Sequence, residues 1–432
     1  MRKYISSERM MLFEPNIYIQ LLARISGNLS GNDLIIAVKA AFANNEVTMS
    51  KIVLHTDGTA FYEKMDDSGC SVTVTHKHWT DIVNENEKLP FNIHQGELMR
   101  VFITPSDEGI SLLMMAHHLV GDGKAIIYFL EDILKALSGE NPEYKPLRLA
   151  TDSDFPKESI LPPGYKEYAD VYNQQWSKSG RNVGWADYFS IHGSYWRKHS
   201  SRIIYETFSS DEINGISVRA KEAGVTINSY IINAFLKADR GNSRIAVAVN
   251  ARTSHNQSMS NQVAGISIRH RYSARKTFEE NAKLIHQKIY KEINDPIKKF
   301  FNLQFVPLFD PALLDSIFLH IYNKYANKTT AKLAKIIGYK GREKKDLGFT
   351  NLTKIDIAYN KSSSYKISQV LIVAPMISYV KRIVCIYTLE DEMTISYRIM
   401  NAKNEAKERR FFLRAIKNIR VTTAGYTHIP KV

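Results

Sequence analysis

The chain has 432 residues, 44% of them hydrophobic and 24% charged, and a formal net charge of +14. That length is too great for one ordinary core, so two lobes are expected, and the composition excludes a disordered or fibrous chain. No apolar run approaches membrane-spanning length, and the basic start at residues 1–5 is not followed by the apolar region of a signal peptide.

Residues 17–29 read as a long strand. Ser30-Gly31-Asn32-Asp33 then starts a helix whose buried face is Leu34, Val38, Ala41 and Phe42. Two short strands, 52–55 and 60–64, flank Asp57-Gly58, a hairpin signal, and a further strand lies at 71–75. The strand at 98–103 pairs naturally with 111–116 across the turn at 107–109.

The sharpest stretch comes next, Met114-Met115-Ala116-His117-His118-Leu119-Val120-Gly121-Asp122-Gly123. A buried strand enters it. A helix leaves it, with Ile126, Ile127, Leu130, Ile133, Leu134 and Leu137 on one face and Gly139 as the stop. Two histidines, an acid and a glycine thus sit on a strand-to-helix loop, held by rigid elements where chemistry is usually placed. A chance HHxxxDG is expected in roughly one chain per thousand of this length and composition. The structural alternative is a histidine pair that caps a helix.

Residues 151–200 are rich in proline and polar residues and read as a connection between an N-terminal lobe, 1–150, and a C-terminal lobe, 201–432. The second lobe opens with a strand at 202–208 and a capping box, Ser209 with Glu212. A helix at 226–237 follows, then a buried strand at 245–252 ending in Arg252. Residues 277–335 are helical in pattern, broken at Pro296 and between Pro307 and Pro311. A basic run, Lys324, Lys328, Lys332, Lys335, Lys340, Arg342, Lys344 and Lys345, lies near their end and reads either as a solvated face or as a dock for an acidic carrier or a membrane surface. A strand at 347–355, a hairpin at 382–398 and a basic amphipathic helix at 404–419 close the chain.

The two cysteines, Cys70 and Cys385, match no metal or redox spacing and fit a reducing cytoplasm. Adjacent His117 and His118 diverge and have no spaced third ligand, so no metal site is expected. Neither a Gly-x-Ser-x-Gly elbow nor a phosphate-binding Gly-x-x-x-x-Gly-Lys loop is present.

The HHxxxDG string resembles the signature of the chloramphenicol acetyltransferase-like superfamily, which includes the condensation domains of peptide synthetases, the plant BAHD acyltransferases and stand-alone alcohol acyltransferases. Three further stretches resemble that family in order. Pro90-Phe91-Asn92-Ile93 with Gly96-Glu97-Leu98-Met99-Arg100 precedes the loop, Arg252 is followed by Asn261-Gln262-Val263-Ala264-Gly265, and Leu347-Gly348-Phe349-Thr350-Asn351-Leu352-Thr353 comes later. In the last of these Thr353 stands where the family's element has glycine, so the local turn is expected to differ. The Asp-Phe-Gly-Trp-Gly element of peptide-bond-forming condensation domains is absent, which favours a stand-alone acyltransferase.

The resemblance implies an α/β (α+β) fold of two lobes, each a mixed β-sheet flanked by helices, with the active-site channel between them. It implies acyl transfer from a thioester to a small-molecule alcohol or amine, His118 as general base and His117 as a structural residue. Asp122 would not orient the imidazole but would ion-pair with an arginine, Arg252 first and Arg100 second. Gly123 would allow close backbone approach or a turn and offer its N–H to an oxyanion, with Thr350 and Asn351 as polar donors from the other lobe. No cofactor is implied beyond the thioester itself, on coenzyme A or on an acidic acyl carrier protein, either of which suits the basic charge. No nucleic-acid-binding signature is present, and the chain is expected in the cytoplasm, with peripheral membrane contact left open. The alternatives are a stand-alone condensation enzyme forming an amide on carrier-bound substrates, and an inactive protein that only binds a carrier.

Overall fold

The computed structural model describes residues 2–107, 109–178, 182–239, 242–252, 257–322, 327–337, 346–358, 365–378 and 380–421. The first half follows its capping and alternation signals. β1 (Arg2–Tyr4) leads to β2 (Tyr18–Gly27), and Ser30 then caps α1 (Gly31–Asn44), its hydroxyl accepting the Asp33 N–H at 3.1 Å while the Asp33 carboxylate accepts the Ser30 N–H. The α1 face predicted to be apolar is buried at Leu34, Val38, Ala41 and Phe42. β3 (Ser50–Leu54) and β4 (Ala60–Lys64) form the hairpin around Asp57-Gly58, with β1 on the far side of β4. After β5 (Ser71–Val74) and α2 (Trp79–Asn86) come β6 (Met99–Ser106), β7 (Gly109–His117) and α3 (Gly123–Leu137).

The stretch expected to be an irregular connection is instead two packed helices, α4 (Gly164–Ser177) and α5 (Trp185–Trp196). Pro163 opens α4 rather than breaking it, as a proline can where no intrahelical N–H bond is needed. Tyr188, Ile191 and Trp196 of α5 enter the first lobe's core. Ala169, Tyr172 and Trp176 of α4 enter a smaller aromatic cluster in the second half of the chain.

In the second half β8 (Ser201–Phe208) is followed by α6 (Ser210–Glu222), capped reciprocally by Ser209 and Glu212, and by α7 (Ile227–Asp239). β9 (Asn242–Asn250) and β10 (Val263–Arg271) pair antiparallel. Helices α8 (Phe278–Ile293), α9 (Pro296–Phe305), α10 (Pro311–Phe318) and α11 (Lys328–Ile336) come next. Pro296 and Pro311 occupy first-turn positions, with Asp295 and Asp310 as caps. β11 (Leu347–Ile355), β12 (Tyr365–Val373), β13 (Ile383–Leu389), β14 (Glu392–Met400) and α12 (Glu405–Val421) complete the order.

Beside the small antiparallel sheet β1-β4-β3, the described residues thus form two large mixed sheets flanked by helices. One runs β12-β2-β7-β6-β5 and the other β10-β9-β11-β13-β14-β8. β12 departs from the simple division at residue 201. It lies within the C-terminal stretch, yet it pairs antiparallel with β2, from Tyr365 opposite Gly27 to Val373 opposite Gln20. The second half therefore lends the first sheet an edge strand and stitches the lobes together.

Of the basic run, only Lys328, Lys332 and Lys335 fall within the described residues, and Lys332 Nζ lies 5.5 Å from the centre of the Tyr172 ring. Lys324, Lys340, Arg342, Lys344 and Lys345 lie outside them. α12 is amphipathic as expected, burying Phe411, Phe412, Ala415, Ile416 and Ile419, while Arg420 pairs with Glu212 at 2.9 Å. Among the described residues no helix is long and apolar enough to cross a membrane.

Candidate active site

β7 ends at His117, His118 begins a single 3-10 turn, and the chain then reverses into α3 through Gly121 and Asp122. Gly121 makes this reversal possible. Its φ is +149°, and a Cβ there would lie 2.4 Å from Ala125 Cβ and 2.9 Å from the Ser260 nitrogen. Gly121 fills a variable position of the HHxxxDG string, so the motif does not mark it. Gly123 has a different duty: a Cβ on it would meet Leu352 Cδ2 of the other lobe at 3.0 Å, so its glycine permits close contact between the lobes.

The two histidines part company as adjacent side chains at a strand end must. His117 is 2% exposed, packs against the Phe91 ring edge at 5.9 Å, and its Nδ1 accepts the Leu119 N–H at 3.2 Å. Burial, with the neighbouring His118 and His192 adding to it, pushes its pKa down to about 3. His118 is anchored by its own N–H, which donates to the Ile17 carbonyl at 2.8 Å, and its ring lines the cavity between the lobes. Its Nδ1 has no hydrogen-bond partner among the described residues. Burial holds its pKa below the usual imidazole value, with the Asp122 charge pulling partly the other way.

Asp122 is wholly engaged. Its Oδ1 accepts the N–H groups of Lys124 and Ala125, each at 3.0 Å, which caps α3. The same oxygen takes Arg252 Nη2 at 3.0 Å, and Oδ2 accepts the Gln262 N–H at 3.0 Å. Arg252 is also fastened to the Ser258 carbonyl at 3.0 Å and the Ser260 carbonyl at 2.7 Å. Both charged side chains are 4% exposed. No hydrogen bond joins Asp122 to His118 among the described residues. Arg100, the second candidate partner, pairs instead with Glu97 at 2.9 Å and donates to the carbonyls of Asn86, Leu89 and Pro90.

The cavity holds about 250 Å³ and is walled by both lobes, with Ile17, His118 and Gly123 on one side and Val247, Thr350, Asn351 and Cys385 on the other. Thr350 presents its side chain there from β11. Asn351 lines the cavity too, but its amide is partly spent locally. Oδ1 accepts the Thr353 N–H at 2.7 Å, and Nδ2 donates to Asn228 Oδ1 at 3.2 Å. These bonds hold a bulge in β11, where the register with β13 shifts between Asn351 and Lys354. Thr353 was expected to change this turn because it replaces a glycine. Instead it adopts the left-handed conformation that glycine favours, with φ +62°. Its hydroxyl donates to the Leu352 carbonyl at 2.6 Å. Glu14, which the sequence did not single out, also lines the cavity, its Oε1 accepting from the Tyr322 hydroxyl at 2.9 Å. Among the described residues no three His, Cys, Asp or Glu side chains gather into a metal-ligating group.

This architecture, two mixed sheets enclosing a histidine-bearing strand-to-helix loop, is the chloramphenicol acetyltransferase-like fold. Known proteins agree at the level of the fold. The condensation domain of the Monacolin K polyketide synthase MokA superposes with a TM-score of 0.64 at 12% identity, over 98% of this chain and 97% of that one. The TRI3 trichothecene 15-O-acetyltransferase from Fusarium sporotrichioides gives a TM-score of 0.64 at 12% identity, over 98% of this chain and 95% of that one. By sequence, the chain is 31% identical over 124 residues to the hybrid PKS-NRPS synthetase thnA of Trichoderma harzianum. That match spans 27% of this chain and 3% of the synthetase's length. No protein-family model matches the chain.

Two stability predictions follow from the geometry. Asp122→Ala and Arg252→Ala should each lower the unfolding free energy by about 3–5 kcal/mol, because each leaves a buried charge unpaired. The double variant should lose less than the sum, with a coupling of about 1–3 kcal/mol in urea denaturation; additive losses would show that the pair does not act as one. Thr353→Gly should stabilise the fold by about 1 kcal/mol, since a β-branched residue is strained in the left-handed region, and a lowered urea midpoint would refute this.

Proposed function

We propose that the protein transfers an acyl group from a thioester to an alcohol or amine, with His118 as the general base. The observation that carries this reading is the placement of His118: a half-buried imidazole, kept neutral by burial, whose Nδ1 has no partner among the described residues, in a cavity built by both lobes. A neutral imidazole with a pKa near or below neutrality suits a base. The acceptor's O–H or N–H gives its proton to His118 as its heteroatom forms a bond to the thioester carbonyl carbon. The resulting oxyanion collapses, the C–S bond breaks, and the departing thiolate takes the proton from the imidazolium. No covalent enzyme intermediate and no cofactor enters, because the thioester arrives activated.

Oxyanion stabilisation falls to donors that line the cavity. The Asp122 cap takes the N–H groups of Lys124 and Ala125, which leaves the Gly123 N–H at the start of α3 unclaimed by the cap. The Thr350 hydroxyl is the candidate donor from the second lobe, and Asn351 shapes the bulge beside it. Asp122 serves the loop's geometry, and its charge favours the imidazolium through space.

The donor in this reading is acyl-coenzyme A or an acidic acyl carrier protein, the acceptor a small molecule, and the setting the cytoplasm. The second reading, amide formation on carrier-bound substrates, draws support from the local identity to the hybrid synthetase. The missing Asp-Phe-Gly-Trp-Gly element weighs against it. A protein that only binds a carrier has no use for a buried neutral base, which weighs against the third.

Thiol release from a panel of acyl-coenzyme A donors, with and without alcohol and amine acceptors, tests the assignment. Acceptor-dependent release should fall about 10²–10⁴-fold in His118→Ala, and release that survives the substitution would remove His118 from the role. The pH profile adds a sign. A base works in its neutral form, so kcat/KM should be flat at neutral pH and fall as the medium is acidified through the lowered imidazole pKa, with a midpoint below 6.5. A midpoint above 6.5 would contradict the buried, neutral placement.

A further inference from the structure

A second and larger cavity, of about 650 Å³, adjoins the one at His118. Its wall and that of the site cavity share four residues, Met10, Ala246, Gly265 and Asn302. Its floor is formed by small side chains on paired strands. Ser267 stands opposite Ala246 in the β9–β10 register, and Gly265 lies two residues along β10 on the same face. A Cβ on Gly265 would meet nothing nearer than Asn302 Nδ2 at 4.0 Å, so space opens directly above the sheet.

The roof comes from α4, α9, α10 and α11. Phe301 and Phe305 stack at 4.7 Å, and the Tyr165 ring meets them edge-on at 5.3 and 5.7 Å. Among the described residues no charged side chain lines this space. The site cavity, in contrast, carries Glu14, Asp122 and Lys124. A volume of 650 Å³ lies within the roughly 300–1,000 Å³ that encloses a small organic ligand. The described lining, aromatic-roofed and without charge, offers a phosphate or carboxylate no partner and suits hydrocarbon.

We propose that this side cavity takes the linear alkyl chain of one of the two substrates whose reacting ends meet at His118, and so makes the protein selective for long-chain over short-chain substrates. The inference rests on the acyl-transfer reading of the site. The chain enters past Met10 and Gly265 and lies between the small-residue floor and the Phe301–Phe305 stack. It belongs either to an acyl donor or to an alkyl acceptor, and the chemistry that recognises it is the same.

The test is equilibrium binding by calorimetry to the His118→Ala protein, which removes turnover. One arm uses acetyl-, hexanoyl- and decanoyl-coenzyme A, the other ethylamine, hexylamine and decylamine. In one arm Kd should fall by up to about fourfold for each added methylene, the worth of burying that group, and that arm names the substrate that owns the chain. Ser267→Trp, on the exposed edge strand, and Val306→Trp, on the wall, each fill the space and should abolish the increment in the His118→Ala background. Kd values independent of length in both arms, or an increment that survives both fillings, would overturn the proposal. Absence of turnover by the parent protein, with the increment present and lost on filling, would count against acyl transfer and leave the alkyl cavity standing.

Discussion

The Asp122 carboxylate is the fixed point of the structure. It caps the helix that follows the histidine loop, ion-pairs across the lobes with Arg252, and holds the Gln262 N–H at the start of β10. Taking two charges out of water is unfavourable unless their remaining hydrogen-bonding capacity is met. Here the carboxylate has four donors, and the guanidinium reaches two further carbonyls at Ser258 and Ser260. The consequence for chemistry is a separation of duties. A carboxylate committed to a helix cap and an interlobe pair is not hydrogen-bonded to the histidine, so His118 owes its state to burial. Its protonation is governed by desolvation first and by the charge of Asp122 only second.

The same junction ties the two halves together around the cavity. The Gly123 backbone meets Leu352, Thr353 holds a left-handed turn just beyond it, and β12 leaves the second half to extend the first sheet. Further buried contacts cross between the halves. Arg9 Nε donates to Asp315 Oδ1 at 2.7 Å, Arg398 Nη1 donates to Asn16 Oδ1 at 3.0 Å, and the Ser201 N–H reaches Glu87 Oε1 at 3.2 Å. A cavity between lobes keeps a fixed width only if the lobes cannot slide, and each of these buried contacts opposes sliding.

What the sequence made legible was whatever has a local cause. The capping boxes at Ser30 and Ser209, the Asp57-Gly58 hairpin and the apolar face of α3 are written in residues close together, and each is found where local chemistry put it. The HHxxxDG string marked the loop and directed attention to Arg252, some 130 residues away, only through resemblance to a family. Long-range placement was not legible. β12 reads as a plain apolar segment whose partner lies more than 300 residues upstream. β10 alternates strictly, burying Ala264, Ile266, Ile268 and His270, and so was legible in principle, while the prolines that open α4 looked like breaks. Gly121 escaped because its necessity comes from a positive φ and from the close approach of Ala125 and Ser260, which only the folded chain shows.

A likeness at 12% identity fixes the course of the backbone and leaves the chemistry to the side chains. In this chain the side chains divide the space beside His118 into two unlike parts. One is small and partly polar, bounded by Thr350, Asn351 and the start of α3. The other is larger, without a charged side chain among its described lining residues, and roofed by aromatics from α4 and α9. In the proposed reaction a thioester would need little from the protein beyond a base, an oxyanion donor and correct placement, because its leaving group is already good. Placement of a flexible substrate carries an entropic cost, and a site that holds the unreactive part of the molecule offsets that cost with binding energy remote from the reacting atoms. The aromatic cavity is the part of this structure able to do that, so under the proposed reaction chain-length specificity would reside in α4, α9, α10 and α11 and not in the histidine loop.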